Sequence, residues 1–76
     1  MDVVELDCRG MSCPLPIIRL ANAMAELEVG GTVAVVADDP AARPDISAWC
    51  RMREQEYLGE DTAPDGVPRF RVRRSR

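Results

Sequence analysis

The apolar and polar positions in the first part of this chain change from an alternating to a helical spacing. Residues 3–7 alternate, with Val4 and Leu6 on one face, and are predicted to form a strand. The i, i+3, i+4, i+7 spacing of an amphipathic helix follows, at Ile17, Leu20, Ala21, Met24 and Leu27. This helix is predicted to run from Pro14 to about Glu28, because proline is tolerated in a first helical turn and Gly30-Gly31 ends the pattern.

A β-branched apolar run at residues 32–37 predicts a central strand, parallel to the first strand because a helix connects the two. A turn-rich segment then leads to Pro44, which suits the first position of a second helix running to about Glu56. One face of that helix is formed by Ile46, Trp49, Cys50 and Arg53. The chain therefore begins with a strand-helix-strand-helix succession.

Two further strands are predicted near the C-terminus. Residues 57–60 give a short strand signal, Asp65-Gly66 turns the chain, and residues 69–73 alternate with Phe70 and Val72 toward the core. The predicted order is β-α-β-α-β-β. The fold class is α+β, a two-layer sandwich in which two helices lie on one face of a four-stranded mixed sheet, with residues 1–76 forming a single domain.

Composition and charge limit what such a domain does. With 76 residues, 46% of them hydrophobic, and one each of Trp, Tyr and Phe, the core is small and a large enclosed active site is not expected. Thirteen acids against five arginines give a net charge of −8 up to Asp65, and five more arginines follow. The acidic body argues against strong direct nucleic-acid binding, and the arginines are interpreted as the decoration of an edge strand and a solvated tail.

The sequence lacks the patterns of membrane, secreted and metal-binding proteins. No apolar run is long enough to cross a bilayer, and the N-terminal residues lack a signal-peptide pattern, so we expect a cytoplasmic protein with no membrane contact. Three cysteines in a reducing compartment are read as free thiols. A metal site built from Cys8, Cys13 and Cys50 is not expected, since CxxC spacing and histidine are both missing; no metal or other cofactor is predicted.

The segment Cys13-Pro14-Leu15-Pro16 carries the candidate chemistry. Pro14 and Pro16 mark a helix start, which places Cys13 at the N-cap, where free N–H groups and the helix dipole favour a thiolate. Such a position lowers a cysteine pKa from about 8.5 toward neutrality and makes the thiol nucleophilic. The alternative is a structural cysteine; Gly10, which allows a sharp turn before the helix, makes a core position the weaker interpretation.

These segments resemble a known family. The stretches 10–16, 37–41, 45–46, 49–50 and 69–72 are similar, in order and over nearly the whole chain, to the TusA/SirA/YedF family of small sulfur-carrier proteins with a CPxP motif. The Asp-Asp-Pro-Ala stretch, with Asp-Ile and Trp-Cys downstream, favours the TusA-like branch.

The resemblance implies a persulfide relay. Cys13 would accept a sulfane sulfur from a cysteine desulfurase or rhodanese-like donor and pass it to an acceptor protein serving tRNA thiolation, molybdenum-cofactor synthesis or sulfur oxidation. Thiol exchange of this kind needs neither metal nor general base. The free protein is expected to be a monomer, and whether the chain counts as an enzyme rather than a sulfurtransferase carrier stays open.

Auxiliary roles are open for three other residues. Arg9 either stabilises the Cys13 thiolate or is a solvated surface arginine. Cys8 could resolve a persulfidated Cys13 by forming a disulfide across a short turn. Cys50 shares a helix face with Ile46 and is expected to be a buried structural thiol.

Partner contacts are predicted around the thiol. Ile18 falls outside the buried stripe, one turn from Cys13, and Leu15 is similarly exposed, although the TusA pattern has an acid between the two prolines. Asp39 and Met52 match partner-facing positions of the family, the alternatives being a turn residue and a core methionine.

A rival function is a non-catalytic adaptor or regulatory module that docks through the first helix, with Cys13 as a mere capping residue. A thioredoxin-type oxidoreductase is disfavoured, because the chain has no CxxC and is too short for that fold.

Overall fold

The computed structural model describes residues 3–76 and contains the predicted order of elements. Met1 and Asp2, which belong to the segment inspected for a signal peptide, lie outside the described residues. The strands are β1 (Val3–Asp7), β2 (Thr32–Val36), β3 (Glu56–Thr62) and β4 (Pro68–Arg73), and the helices are α1 (Leu15–Glu26) and α2 (Ala42–Arg53). The α+β class, with four strands and two helices, is confirmed.

The four strands form one mixed sheet in the order β1-β2-β4-β3. β1 and β2 are parallel, with Val4 opposite Val33, as the helical crossover between them predicts. β4 is antiparallel to both β2 and β3, and an irregularity between Tyr57 and Gly59 shifts the β3–β4 register. The prediction that the arginine-rich strand is an edge strand is therefore wrong, because β4 lies inside the sheet.

Cross-strand ion pairs explain how an arginine-rich strand can lie inside the sheet. Arg69 pairs with Asp61 at 2.9 Å and with Glu5 at 3.4 Å, and Arg71 pairs with the same Asp61 at 2.9 Å. Each exposed pair stabilises the fold only slightly. Together they place the arginines of β4 against an acid of the adjacent β3 and an acid of β1, which lies beyond β2, so acids and arginines that are separate in the sequence pair in space.

The core lies between the sheet and the two helices. Phe70 and Val72 are 1% and 0% exposed and pack with Leu20 and Ile46, so one face of β4 supports both helices as predicted. Burial of such side chains stabilises the domain by roughly 1.5–3 kcal/mol each.

The helix boundaries differ from the predicted ones. α1 begins at Leu15 rather than Pro14, and α2 begins at Ala42, two residues before Pro44. Asp39 starts α2 early, since its side chain accepts a hydrogen bond from the Ala41 N–H at 3.0 Å and its carbonyl accepts one from Ala42. Pro44 then falls in the first turn, where a missing N–H costs no intrahelical bond.

Arg74 fastens the C-terminal residues to the end of α1. Its guanidinium donates to the Leu27 carbonyl, just after the last residue of α1, and at 3.2 Å to the Met24 carbonyl, which also accepts the Leu27 N–H. We expect Arg74→Ala to lower the free energy of unfolding by about 1–2 kcal/mol in urea denaturation. Arg73→Ala is the control, because Arg73 only makes an exposed pair with Glu56; equal losses in the two variants would contradict this role.

Candidate functional site

The loop between β1 and α1 displays Cys13 on the surface. Gly10 has φ +76°, the left-handed conformation that the predicted turn requires, and its N–H donates to both oxygens of Asp38 at 3.0 and 3.1 Å. After the turn, the Leu15 N–H bonds to the Ser12 carbonyl at 2.9 Å. The backbone around Cys13 is therefore held from both sides.

Asp39 fixes the position of Cys13 through its backbone. One carboxylate oxygen of Asp39 accepts the Cys13 N–H at 2.8 Å while the other accepts the Ala41 N–H. The two backbone donors, Ala41 first and then Cys13, lower the Asp39 pKa from its usual 3.8. Both oxygens of Asp39, predicted as a partner contact, thus bind the protein's own backbone.

The protonation state of Cys13 differs from the sequence-based expectation. Cys13 lies one residue before the N-cap, which is Pro14, and neither Pro14 nor Pro16 has an N–H to offer a thiolate. The Asp45 carboxylate faces the thiol and raises the Cys13 pKa by hydrogen bonding to its protonated form, and the charge of Asp39 acts in the same direction. The predicted N-cap position and lowered pKa are therefore wrong.

Cys13 lies at an open groove of about 270 Å³ between α1 and α2. The groove is lined by Cys13, Pro14, Ile17, Asp45, Ala48, Trp49 and Met52. Its walls are mostly apolar, with Asp45 as the single carboxylate among them. The sequence interpretation assigned no site role to Asp45, Ala48 or Trp49. Their helical spacing with Met52 along α2 is the signal that could have grouped them.

The structure does not place Arg9 and Cys8 for the auxiliary roles predicted for them at Cys13. Arg9 binds Asp65 at 2.8 and 3.0 Å and Asp7 at 2.9 Å, so its guanidinium is occupied by carboxylates rather than directed to a thiolate. Cys8 is 0% exposed, and burial raises its pKa. A resolving disulfide between Cys8 and Cys13 would therefore require the core to open.

Cys50 is a core residue. Its side chain is 2% exposed on the face of α2 that packs against the sheet, as the helical pattern predicts. Burial raises its pKa to about 11. Of the three cysteines, Cys13 is the one that the described structure leaves accessible to another protein.

Three exposed apolar residues lie in the first turn of α1, which follows Cys13, or in the groove. Leu15 and Ile18 are each 48% exposed, and Met52 is 77% exposed, so Met52 is not a core methionine. We call Leu15, Ile18 and Met52 the apolar rim.

The Asp39 carboxylate gives a prediction for acid pH. Its pKa is lowered in the folded protein, so its contribution to stability is complete above the unfolded pKa near 3.8 and is lost as the pH falls through the folded value. In an NMR titration we expect an Asp39 midpoint below 3.8, with the Cys13 amide resonance moving along with it. Asp39→Asn should remove this movement; a midpoint at or above 3.8 would contradict the hydrogen bonds described here.

The described part of the chain contains neither a metal-binding cluster nor a membrane-spanning helix. Within residues 3–76, no cluster of His, Cys, Asp or Glu side chains is arranged to hold a metal ion. Over the same residues, both helices are too short, or too polar, to span a bilayer.

The fold and the site together define a class of protein: a small α+β domain that presents one accessible thiol at an open groove rather than in a deep pocket. Comparison with known sequences makes the class specific. Residues 4–74 match the family model described as sulfurtransferase TusA, and the chain belongs to this family.

Two relatives agree with this assignment. The chain is 42% identical over 69 residues to a protein of Archaeoglobus fulgidus named "Putative sulfur carrier protein", covering 91% of this chain and 90% of the relative. The crystal structure of a SirA-like protein from Desulfitobacterium hafniense superimposes with a TM-score of 0.82 at 27% identity, covering 96% of this chain and 99% of that one. The predicted TusA/SirA resemblance is confirmed, and a sulfur-carrier role in general terms is supported.

Proposed function

We propose that this protein carries sulfane sulfur as a persulfide on Cys13. The observation that carries the proposal is the accessible Cys13 thiol at an apolar groove, in a chain whose other two cysteines are buried. Pro14 and Pro16 act as the scaffold: Pro14 is the N-cap of α1, and Pro16 lies buried in its first turn. The thiol is thereby presented at the surface, just before the start of α1.

The transfer step is a displacement at sulfur. The Cys13 thiolate attacks the outer sulfur of a donor persulfide, a new S–S bond forms, the donor's S–S bond breaks, and the donor leaves as a thiolate. The product is Cys13–S–SH. An acceptor thiolate then takes the terminal sulfur by the same displacement, which regenerates Cys13. Each step exchanges one S–S bond for another, and the transferred sulfur keeps its oxidation state. No external oxidant or reductant is therefore required.

The donor is a cysteine desulfurase or rhodanese-like protein of the cytoplasm, and the acceptor is another protein thiol. Both dock on the apolar rim, whose exposed side chains lie in the first turn of α1 and in the groove. Apolar area next to a reactive group is typical of a protein-binding surface. An exposed thiol reached by a partner needs no enclosed pocket, in keeping with a carrier that acts as a monomer between two proteins.

Sulfur loading of the full chain tests the proposal. After incubation with a cysteine desulfurase and cysteine, intact-mass spectrometry is expected to show a gain of one sulfur atom that a thiol reductant removes. A chain that gains no sulfur, although the desulfurase is active with a known acceptor, would contradict the proposal.

A further inference from the structure

Asp45 and Cys13 line the same groove. Asp45 is half-buried in the first turn of α2. Other acids such as Asp7, Glu60, Asp61 and Asp65 form salt bridges with arginines. Among residues 3–76, Asp45 forms no salt bridge, so its charge is available to a group from outside the molecule.

The other charges near the thiol do not offset Asp45. Asp39, from the loop between β2 and α2, adds a second negative charge, and Arg9, from the loop before α1, is bound to Asp7 and Asp65. Both charges that act on the sulfur are thus negative, and they oppose formation of a thiolate.

We propose that Asp45 is a positioning residue for sulfur transfer: in the groove that it shares with Cys13, its carboxylate binds a basic side chain of the sulfur donor in the complex. This inference rests on the proposed function. Pairing with a lysine or arginine of the donor neutralises Asp45 and removes its opposition to the thiolate. The Cys13 proton passes to solvent, and the leaving thiolate of the donor is reprotonated from it.

The consequence is a thiol that is more reactive in the complex than in the free protein. In the free protein, Cys13 stays protonated and reacts slowly with stray electrophiles and oxidants, because the thiolate is the reactive form. The docked donor supplies the persulfide and also the basic side chain that pairs with Asp45. This pairing favours loss of the Cys13 proton and formation of the nucleophilic thiolate. Asp45 thereby couples partner recognition to the ionisation of Cys13.

The first test is the pH profile of Cys13 alkylation. Rates with iodoacetamide are followed by intact mass for the wild type, Asp45→Asn, Asp45→Glu and Glu28→Gln, with Cys13→Ser as the blank. We expect Asp45→Asn to move the midpoint down by about one pH unit and to raise the rate at neutral pH several-fold. Asp45→Glu should stay close to the wild type, since it keeps the carboxylate.

Glu28→Gln is the matched control. It makes the same change in net charge on an exposed acid beyond the far end of α1, and its midpoint should not move. A midpoint that is unchanged in Asp45→Asn, or that moves equally in Glu28→Gln, would overturn the proposal.

The second test compares the rates of sulfur loading from a small-molecule donor and from a protein donor. With glutathione persulfide, Asp45→Asn should load sulfur several-fold faster than the wild type, because more thiolate is present. With a cysteine desulfurase and cysteine it should load about tenfold more slowly, since the contact for the donor's basic side chain is lost. Rates that change in the same direction with both donors would overturn the donor contact.

Failure of the proposed function would look different. A wild-type protein that loads from neither donor contradicts the persulfide carrier itself. A wild-type protein that loads normally, combined with an unmoved midpoint in Asp45→Asn, contradicts the role of Asp45 alone.

Discussion

Replacing Cys13 with serine is expected to abolish sulfur loading completely while leaving the fold intact. A serine hydroxyl is far too weakly acidic to supply the anionic nucleophile and cannot form a persulfide, and the side chain at this position is exposed, so the substitution disturbs no core packing. Intact-mass spectrometry after incubation with a cysteine desulfurase and cysteine measures the loss. Circular dichroism checks that the variant is folded.

Cys8→Ala and Cys50→Ala are the matched controls. Both cysteines are buried, at 0% and 2% exposure, so a donor cannot reach them without opening the core. Both variants should still gain one sulfur atom, with some loss of stability from the shortened side chains. Loading that persists in Cys13→Ser would contradict the persulfide assignment. Partner effects that survive in Cys13→Ser without loading would favour the adaptor function instead.

Introducing a charge into the apolar rim is expected to slow loading from a protein donor at least tenfold. Met52→Asp and Ile18→Asp place a carboxylate where the structure has exposed apolar surface, at 77% and 48% exposure, and desolvating that charge on docking is unfavourable. Loading from glutathione persulfide, which needs no docking surface, should slow only a few-fold, because there the added carboxylate acts only by opposing the Cys13 thiolate. The ratio of the two loading rates is the quantity to measure.

Val29→Asp serves as the control for the rim. Val29 is 65% exposed and follows the far end of α1, so the same substitution there changes charge and surface polarity without touching the groove. Its loading rate with the protein donor should equal that of the wild type. Equal slowing in Val29→Asp, or slowing of the rim variants that is as large with glutathione persulfide as with the protein donor, would contradict the docking surface.

Much of the fold could be predicted because local patterns report directly on burial. The alternation at Phe70 and Val72 and the helical spacing at Leu20 and Met24 identify side chains that the structure buries. The order of the strands in the sheet could not be predicted from such local patterns. The arginines of β4 suggested an edge, yet the acids that pair with Arg69 and Arg71 come from β1 and β3, and only the assembled sheet brings them together.

The sequence by itself identified the chemical group of the site. Cys13 before two prolines, in a chain without histidine or CxxC, predicted an accessible thiol, and the structure places that thiol on the surface. The helix start nevertheless suggested the wrong direction for its pKa. Pro14 and Pro16 remove donors that would otherwise stabilise a thiolate, a consequence that was already readable in the sequence.

Only the tertiary structure decided the electrostatic environment of the thiol. Asp39 and Asp45 lie far from Cys13 along the chain, and they reach it because α2 packs beside the start of α1 and forms the groove. A charge acts through space, over a few ångströms, whatever the separation in sequence. The sequence therefore identified the candidate nucleophile, and the packing of the two helices decided which charges lie near it.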